Sequence, residues 1–175
     1  MSQKDLASRA DTFQANLSEI ENGLVSPSLH TAEQLFSILG YRLIPVPLKS
    51  LTIQEWGSRV NEAISDGREK RAFRIFLQIN EELSYLEPEI LQVAVAVQPN
   101  IQDPNYCALI SGLVEWHLRK GKLPIPAWVK SNGKKLKSAW FVDEFTPNKS
   151  LIKQKTPPSF SKRNIYISET ELGNE

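Results

Sequence analysis

The side chains best suited to catalysis are scattered along this sequence. His30 and His117 lie far apart, and Cys107 has no histidine near it in the sequence. Glu115 and His117 are two residues apart on a predicted helix, so their side chains point away from each other. Metal-ligand spacing, a glycine-rich phosphate loop and a nucleophile elbow are all missing. The sequence therefore predicts a protein that is not an enzyme and has no catalytic residue, metal or cofactor.

A second kind of chemistry, hydrogen bonding to a flat polar edge, is available near the N-terminus. Gln14 and Asn16 carry amides, each with a donor and an acceptor, and Glu19 carries a carboxylate that only accepts. Such amides match the N7 and N6 edge of adenine, and a carboxylate matches the N4 amine of cytosine. The alternative is that the three side chains form an ordinary solvated helix face.

Three short helices are predicted to position these side chains. Ser2 and Asp5 together cap the first helix, and Ser28 caps the third. The second helix runs from about residue 13 to residue 21 and closes at Gly23, because glycine tolerates the left-handed conformation at a helix end. The apolar stripes of the three helices are Leu6, Ala7 and Ala10, then Leu17 and Ile20, then Leu29, Ala32, Leu35, Phe36 and Leu39.

Four segments of this region occur at the spacing of a known family. They are Ser2-Gln3-Lys4-Asp5-Leu6-Ala7, Ala15 to Gly23, Pro27-Ser28-Leu29-His30-Thr31 and Leu35 to Gly40. Residues 1–40 resemble the Xre/Cro family of helix-turn-helix DNA-binding regulators, which implies a lambda-repressor-like fold. The specific signal is the Ile-Glu-Asn-Gly closing of one helix followed by the Pro-Ser-Leu-x-Thr opening of the next.

The resemblance implies that the second helix enters the major groove of DNA. Its N-terminal residues, and those one turn further on, would then meet the base edges. Gln3 would hydrogen-bond a phosphate, the backbone at Asn22-Gly23 would approach the next phosphate, and Ser18 would either contact a phosphate or fill space. The predicted DNA-binding residues are Gln3, Phe13, Gln14, Ala15, Asn16, Ser18, Glu19 and Asn22.

Two features depart from the pattern of the family. The family's first helix precedes the step at Ser2-Gln3, so we expect this helix to be missing here. Unless another segment replaces it, the apolar backs of Leu6, Ile20 and Leu35 should be partly uncovered. At the following turn the family favours glycine, and this sequence has Asp11, which tolerates the left-handed region better than most residues. The missing helix therefore bears on stability more than on the contact residues.

Beyond residue 40 the pattern changes twice. Residues 41–51 are apolar, extended and proline-containing, which predicts a linker or a linking edge strand able to pair across a dimer. Residues 52–145 predict a helical domain with four helices, and Trp128 and Trp140 are expected to anchor its core or an interface. Residues 146–175 lack periodicity and predict a disordered tail. The fold class predicted for the whole chain is all-α.

Charge is strongly segregated along the chain. Residues 1–50 carry 4 basic and 5 acidic side chains, residues 51–117 carry 5 and 10, and residues 118–163 carry 12 and 2. The positive field is therefore expected in the C-terminal third rather than in the DNA-reading region. Within that third, residues 123–128 should be extended. A basic loop at residues 130–137 should be solvated, or contact either the DNA backbone or an acidic protein.

A second, less specific resemblance covers the later part of the chain. It rests on Asp103-Pro104-Asn105-Tyr106, Gly112, Glu115, Leu118, Gly121, Leu123 to Trp128 and Trp140-Phe141. These residues are similar to the C-terminal region of long bacterial Xre-type regulators that accompany nucleotidyltransferase-like toxins. The resemblance implies an autoregulating antitoxin with a cognate toxin as its protein partner.

These observations predict a dimeric, sequence-specific transcriptional repressor whose partner is double-stranded operator DNA. One cysteine and no apolar run long enough for a membrane span favour the cytoplasm. Two alternatives stay open. One is an interaction module that neutralises a toxin, with DNA binding secondary. The other is a ligand-sensing regulator whose pocket would be lined by Trp56, Phe73, Phe76 and Trp116.

Overall fold

The computed structural model describes residues 1–43, 45, 50–132, 135–142 and 148–173. The chain divides into two compact units, Met1–Pro47 (unit 1) and Leu48–Glu175 (unit 2), and each unit has its own apolar core. The fold is all-α, as predicted, with one small sheet. That sheet does not include the linking strand that the sequence predicts in residues 41–51. The described residues of the 41–51 segment form no strand, and its residues 44 and 46–49 lie outside the description.

Unit 1 contains three helices that begin and end where the sequence predicts. The Ser2 hydroxyl accepts the backbone N–H of Asp5 and the Asp5 carboxylate accepts that of Ser2, which completes a capping box. Ser28 caps the third helix by accepting the N–H of Thr31. At the turn after the first helix, Asp11 adopts a φ of +49°. The helices are α1 (Gln3–Arg9), α2 (Gln14–Glu21) and α3 (Leu29–Ile38).

The core of unit 1 is small but closed. Leu6 and Leu35 are 7 % and 8 % exposed, so the expectation that their apolar backs are uncovered is wrong, while Ile20 is half-buried. Packing of α1 against both other helices covers these side chains. The buried residues of this core are Leu6, Ala7, Ala10, Leu17 and Leu35, with Ile38 packed against them.

Unit 2 is built around one buried helix. The four helices that its periodicity predicts are present, and the last of them is buried at every position from Ala108 to Leu118. Two amphipathic helices pack against each other ahead of it. The first begins at a capping box of Thr52 and Glu55. The four helices are α4 (Ile53–Ser65), α5 (Glu69–Tyr85), α6 (Pro88–Ala94) and α7 (Pro104–Lys120).

Two predictions for the rest of unit 2 are wrong. Residues 123–128 are not extended throughout, because α8 (Ala127–Asn132) begins at Ala127, includes Lys130 of the predicted basic loop, and buries Trp128. Residues 148–173 are not a disordered tail. They form α9 (Lys149–Lys155), α10 (Pro158–Ser161), strand β2 (Ile165–Tyr166) and a 3-10 turn (Glu169–Leu172), and β2 pairs in parallel with β1 (Trp140–Phe141).

The physical reason for this order is apolar and ionic burial along the C-terminal segment. Phe160 and Ile165 are completely buried and join the core of unit 2. Arg163 is 1 % exposed, and its guanidinium donates to the Glu115 carboxylate at 2.7 Å and to the Val129 carbonyl at 2.9 Å. The C-terminal segment is polar and irregular in sequence. It nevertheless contributes the basic partner of a buried ion pair and apolar side chains that pack in the core of unit 2.

A second buried polar pair links α7 to α5 and to the end of the chain. His117 Nε2 lies 2.9 Å from Asn80 Oδ1, and the Asn80 amide donates to the carbonyl of Leu172 at 2.8 Å. Since the Asn80 nitrogen is engaged by that carbonyl, its oxygen faces the ring and His117 is the donor. Burial, with a smaller effect of the Lys120 charge, lowers the pKa of His117 to about 4.

This lowered pKa predicts a loss of stability in mild acid. The unfolded chain takes up the His117 proton near its ordinary pKa of 6.5. The stability that depends on neutral His117 is therefore fully present above that pH, and it is lost as the pH falls through the folded-state pKa. We expect the free energy of unfolding of unit 2 to fall by about 1–2 kcal/mol between about pH 7 and pH 5. Urea unfolding followed by tryptophan fluorescence measures this. An equal fall in His117→Gln would contradict the assignment.

Candidate nucleic-acid interface

The α2 helix packs against the rest of unit 1 through one of its faces. Leu17 is 2 % exposed and packs into the core that α1 and α3 complete. The turn ahead of α2 is closed by the left-handed Asp11 and by the Thr12 N–H, which donates to the Ala7 carbonyl at 3.0 Å. The opposite face of α2, beginning at Gln14, therefore remains open to solvent. Helix periodicity produces this division, because residues three or four apart share a face.

The predicted DNA-binding residues mostly lie on that open surface. Six of the eight are exposed, and Asn16 and Ser18 are half-buried. Gln14 has no hydrogen-bond partner among the described residues, so its amide is available to a ligand. The exposed six are Gln3, Phe13, Gln14, Ala15, Glu19 and Asn22.

The N-terminus of α2 differs from those of its neighbours. Helices α1 and α3 each have a serine side-chain cap, whereas the N-cap of α2 is Phe13, which makes no side-chain hydrogen bond. Phe13 is also 84 % exposed. The first-turn N–H groups of α2 consequently lack an acceptor from the N-cap, and a large apolar ring stands beside them. This end of the helix therefore presents both donors and an apolar surface to whatever approaches it.

Asn16 is oriented by a neighbour that sequence reasoning did not identify. Its amide nitrogen donates to the Thr12 hydroxyl at 3.1 Å. One amide hydrogen is used in this way, while the carbonyl oxygen and the second hydrogen stay available. The spacing of four residues was a visible signal for this contact, although Thr12 lies in the turn rather than in the helix.

Gln3 is held by the far end of α2. Its amide nitrogen donates to the Glu21 carboxylate at 2.5 Å. The residues are 18 positions apart, so no local pattern reveals the contact, which arises only because α1 packs on α2. A phosphate bound by Gln3 would therefore use its second amide hydrogen or displace Glu21.

The C-terminal end of α2 offers few free donors. The Asn22 N–H donates to the Ser18 carbonyl and the Gly23 N–H to the Ile20 carbonyl, both at 3.0 Å. The Asn22 amide nitrogen also donates to the Ser18 carbonyl, at 2.8 Å. The backbone N–H groups expected to approach a phosphate here are thus already paired within the helix end. The Asn22 amide nitrogen makes a second, longer hydrogen bond to the Ser18 hydroxyl at 3.4 Å, so this amide is also engaged within the helix end.

Charge does not favour DNA at this surface. The α2 sequence contains no basic residue, and the described basic side chains of unit 1 are Lys4, Arg9 and Arg42. Hydrogen bonding and shape, rather than long-range attraction, must therefore carry any recognition by α2. The basic side chains of the chain are concentrated in residues 118–163 of unit 2.

The other residues considered for chemistry are occupied structurally. Burial, followed by the Asp103 charge, raises the pKa of the half-buried Cys107 thiol, so it stays protonated. Glu115 pairs with Arg163, and His117 pairs with Asn80. Among the described residues, no group of three or more His, Cys, Asp or Glu side chains could hold a metal ion.

Comparison with known proteins found one match, to the N-terminal part of the chain. A family model described as helix-turn-helix matches residues 1–45, which include the three helices of unit 1. This match supports a helix-turn-helix transcriptional regulator that binds DNA. No curated protein and no solved structure matches the chain. In the part of the chain that the structure describes, no helix has the length and apolar character needed to cross a membrane.

Proposed function

We propose that this chain is a cytoplasmic, sequence-specific transcriptional repressor that reads its operator with α2. The observation that supports this most directly is the N-terminus of α2, where the exposed Phe13 and a first turn without a side-chain cap adjoin Gln14, whose amide has no partner among the described residues. A major groove about 12 Å wide accepts one helix, and the N-terminal residues of that helix meet the base edges.

Each side chain on this surface has a chemical role in the proposal. Gln14 and Asn16 each pair with an adenine through one donor and one acceptor, and Glu19 accepts from a cytosine amine. Phe13 and Ala15 supply apolar contacts, such as to a thymine methyl group. Gln3, Ser18 and Asn22 lie beside the phosphates and set the register of the helix in the groove.

The proposal predicts that two alanine substitutions weaken operator binding. We expect Gln14→Ala and Asn16→Ala each to reduce binding by about 1–3 kcal/mol, because each removes a bidentate base contact. The slope of affinity against salt should change little, because no phosphate contact is lost. Fluorescence anisotropy with labelled duplex DNA from upstream of the gene, at two salt concentrations, measures both quantities.

A matched control is Gln34→Ala, at an exposed position on α3, which should bind like the unmodified chain. A scrambled duplex of the same length gives the sequence-independent part of the affinity. Weak binding that is equal for every variant and both duplexes would exclude α2 as the functional site.

The repressor is proposed to act as a homodimer that reads two half-sites about one helical turn apart. Exposed apolar side chains at the end of unit 1 support this. Leu39 is 43 % and Tyr41 65 % exposed, and the Tyr41 ring lies edge-on to Phe36 with the ring centroids 6.4 Å apart. Such a cluster at the surface is typical of an interface.

Sedimentation velocity tests the dimer. We expect the double substitution Leu39→Ser, Tyr41→Ser, or deletion of residues 43–47, to shift the chain from dimer to monomer, since apolar burial would be lost. Leu24→Ser removes an apolar side chain that is 76 % exposed between α2 and α3, and it serves as the control. An unchanged dimer in both test variants would contradict the proposed dimer.

We propose further that the repressor is the autoregulating antitoxin of a toxin-antitoxin pair. Support comes from the similarity of the later part of the chain to such regulators, and from unit 2 being a compact unit with its own core that carries the residues of this similarity. Co-expression with the neighbouring gene should yield a complex that survives purification. Loss of that complex on removing residues 1–47, rather than on altering unit 2, would contradict the assignment.

A further inference from the structure

A cleft of about 290 Å³ lies on unit 2 where α4 meets α5. Three arginines line it: Arg59 from α4, and Arg71 and Arg74 from α5. Trp56 and Ile75 form its apolar side. Phe73, Phe76 and Trp116, which the sequence suggested as pocket residues, do not line it but belong to or pack on the core of unit 2.

The arginines are concentrated here against the local charge. Residues 51–117 carry 10 acidic and 5 basic side chains, and three of those five basic side chains line this one cleft. Glu62 is the only carboxylate among the lining residues, so the lining carries a net positive charge. A random distribution of surface charge would have placed mostly acidic groups around it.

In the part of the chain that the structure describes, two of the three guanidinium groups form no close ion pair, and Arg59 interacts with the Glu55 carboxylate only at longer range. Arg59 lies over the Trp56 ring at 5.0 Å from its centroid, and Trp56 is held in turn by donating from Nε1 to the Glu82 carboxylate at 3.3 Å. Within the described part of the chain, neither Arg59 nor Arg74 has a carboxylate within 4.0 Å. The cleft is therefore polarised and incompletely neutralised.

Arg71 is held loosely. Its guanidinium lies 3.7 Å from the Glu62 carboxylate and 3.9 Å from that of Asp66, and its side chain is 43 % exposed. Exposed ion pairs of this length contribute little to stability, so a better acceptor entering the cleft can displace them. The Arg71 guanidinium can therefore also bind a ligand without disturbing the core.

We propose that this cleft binds a small ligand bearing a phosphate group. Three guanidinium forks from two helices suit a phosphate, whose three terminal oxygens accept in several directions, better than a planar carboxylate with two oxygens. The volume lies at the lower limit for small-molecule pockets, which indicates a ligand no larger than a sugar phosphate or a nucleotide. The apolar wall at Trp56 and Ile75 would contact the uncharged part of that ligand.

Thermal unfolding of the full chain, followed by tryptophan fluorescence, tests the proposal. All four tryptophans lie in unit 2, so the signal reports on that unit alone. Inorganic phosphate should raise the melting temperature relative to chloride at equal ionic strength, because a ligand that binds only the folded state stabilises it. Arg59→Gln and Arg74→Gln should each weaken this binding about tenfold, the loss expected for a charge-assisted hydrogen bond.

The matched control is Arg68→Gln, which removes an exposed arginine that does not line the cleft and should respond like the unmodified chain. A sugar phosphate and a nucleoside monophosphate, each beside its unphosphorylated form, distinguish a free phosphate from an organic one. An equal shift in all variants would reveal a general salt effect and overturn the proposal, as would no shift with any phosphate compound. No DNA is present, so the result is independent of the proposed function.

Discussion

Glu115→Gln is expected to lower the free energy of unfolding of unit 2 by about 3–5 kcal/mol, because it leaves the Arg163 charge buried without a counter-charge. Glu115 is 2 % exposed and accepts from Arg163 at 2.7 Å. It also accepts from Arg119 at 2.7 Å and from Lys162 at 2.5 Å. Burial raises the pKa of Glu115, but the hydrogen bonds from Lys162, Arg163 and Arg119 outweigh burial and hold it at about 2. The carboxylate is therefore ionised at neutral pH, and glutamine cannot replace its charge.

Urea unfolding followed by tryptophan fluorescence measures the effect. Glu62→Gln, which disrupts the exposed pair with Arg71, should change the free energy of unfolding by less than about 1 kcal/mol. The double substitution Glu115→Leu, Arg163→Met should recover much of the stability, because both charges leave the core together. If Glu115→Gln is as stable as the unmodified chain, the C-terminal segment does not dock as described.

Phe160→Ala is expected to destabilise unit 2 by a comparable amount, about 3–5 kcal/mol. Phe160 is completely buried, and its ring packs on α7 at Gly112. Truncation removes the transfer free energy of the ring and leaves a cavity that a well-packed core cannot fill. Thermal or urea unfolding reports the loss. Leu151→Ala is the control, because Leu151 is 44 % exposed and should matter little.

The opposite change at the same contact gives an independent check. A Cβ atom added at Gly112 would lie 2.8 Å and 3.1 Å from two carbons of the Phe160 ring. Gly112→Ala should therefore cost about 1–3 kcal/mol by overpacking, even though alanine favours a helix. In the Phe160→Ala background the same substitution should cost much less, because the ring that it strikes is gone. Additive effects of the two substitutions would contradict this packing.

Local patterns in the sequence determined most of unit 1. Ser2 and Ser28 cap helices, and Asp11 adopts the left-handed turn, because each of these preferences depends on a residue and its near neighbours. The same holds for the helix that carries Gln14, because apolar periodicity alone indicates which of its faces is buried. The exposed residues of α2 that we propose to contact DNA therefore follow from the sequence.

Tertiary structure alone decided how the polar side chains are used. Glu21 holds Gln3 from 18 residues away, and Arg163 neutralises Glu115 from 48 residues away. The sequence of the C-terminal segment predicts disorder because its buried residues fall on one four-residue helix, a two-residue strand, a 3-10 turn and the connections between them, which share no single period. The arginine cleft is hidden for the same reason, since Arg59 and Arg74 become neighbours only when α4 packs on α5. Periodicity reports which face of an element is apolar, but only packing determines which partner that face meets.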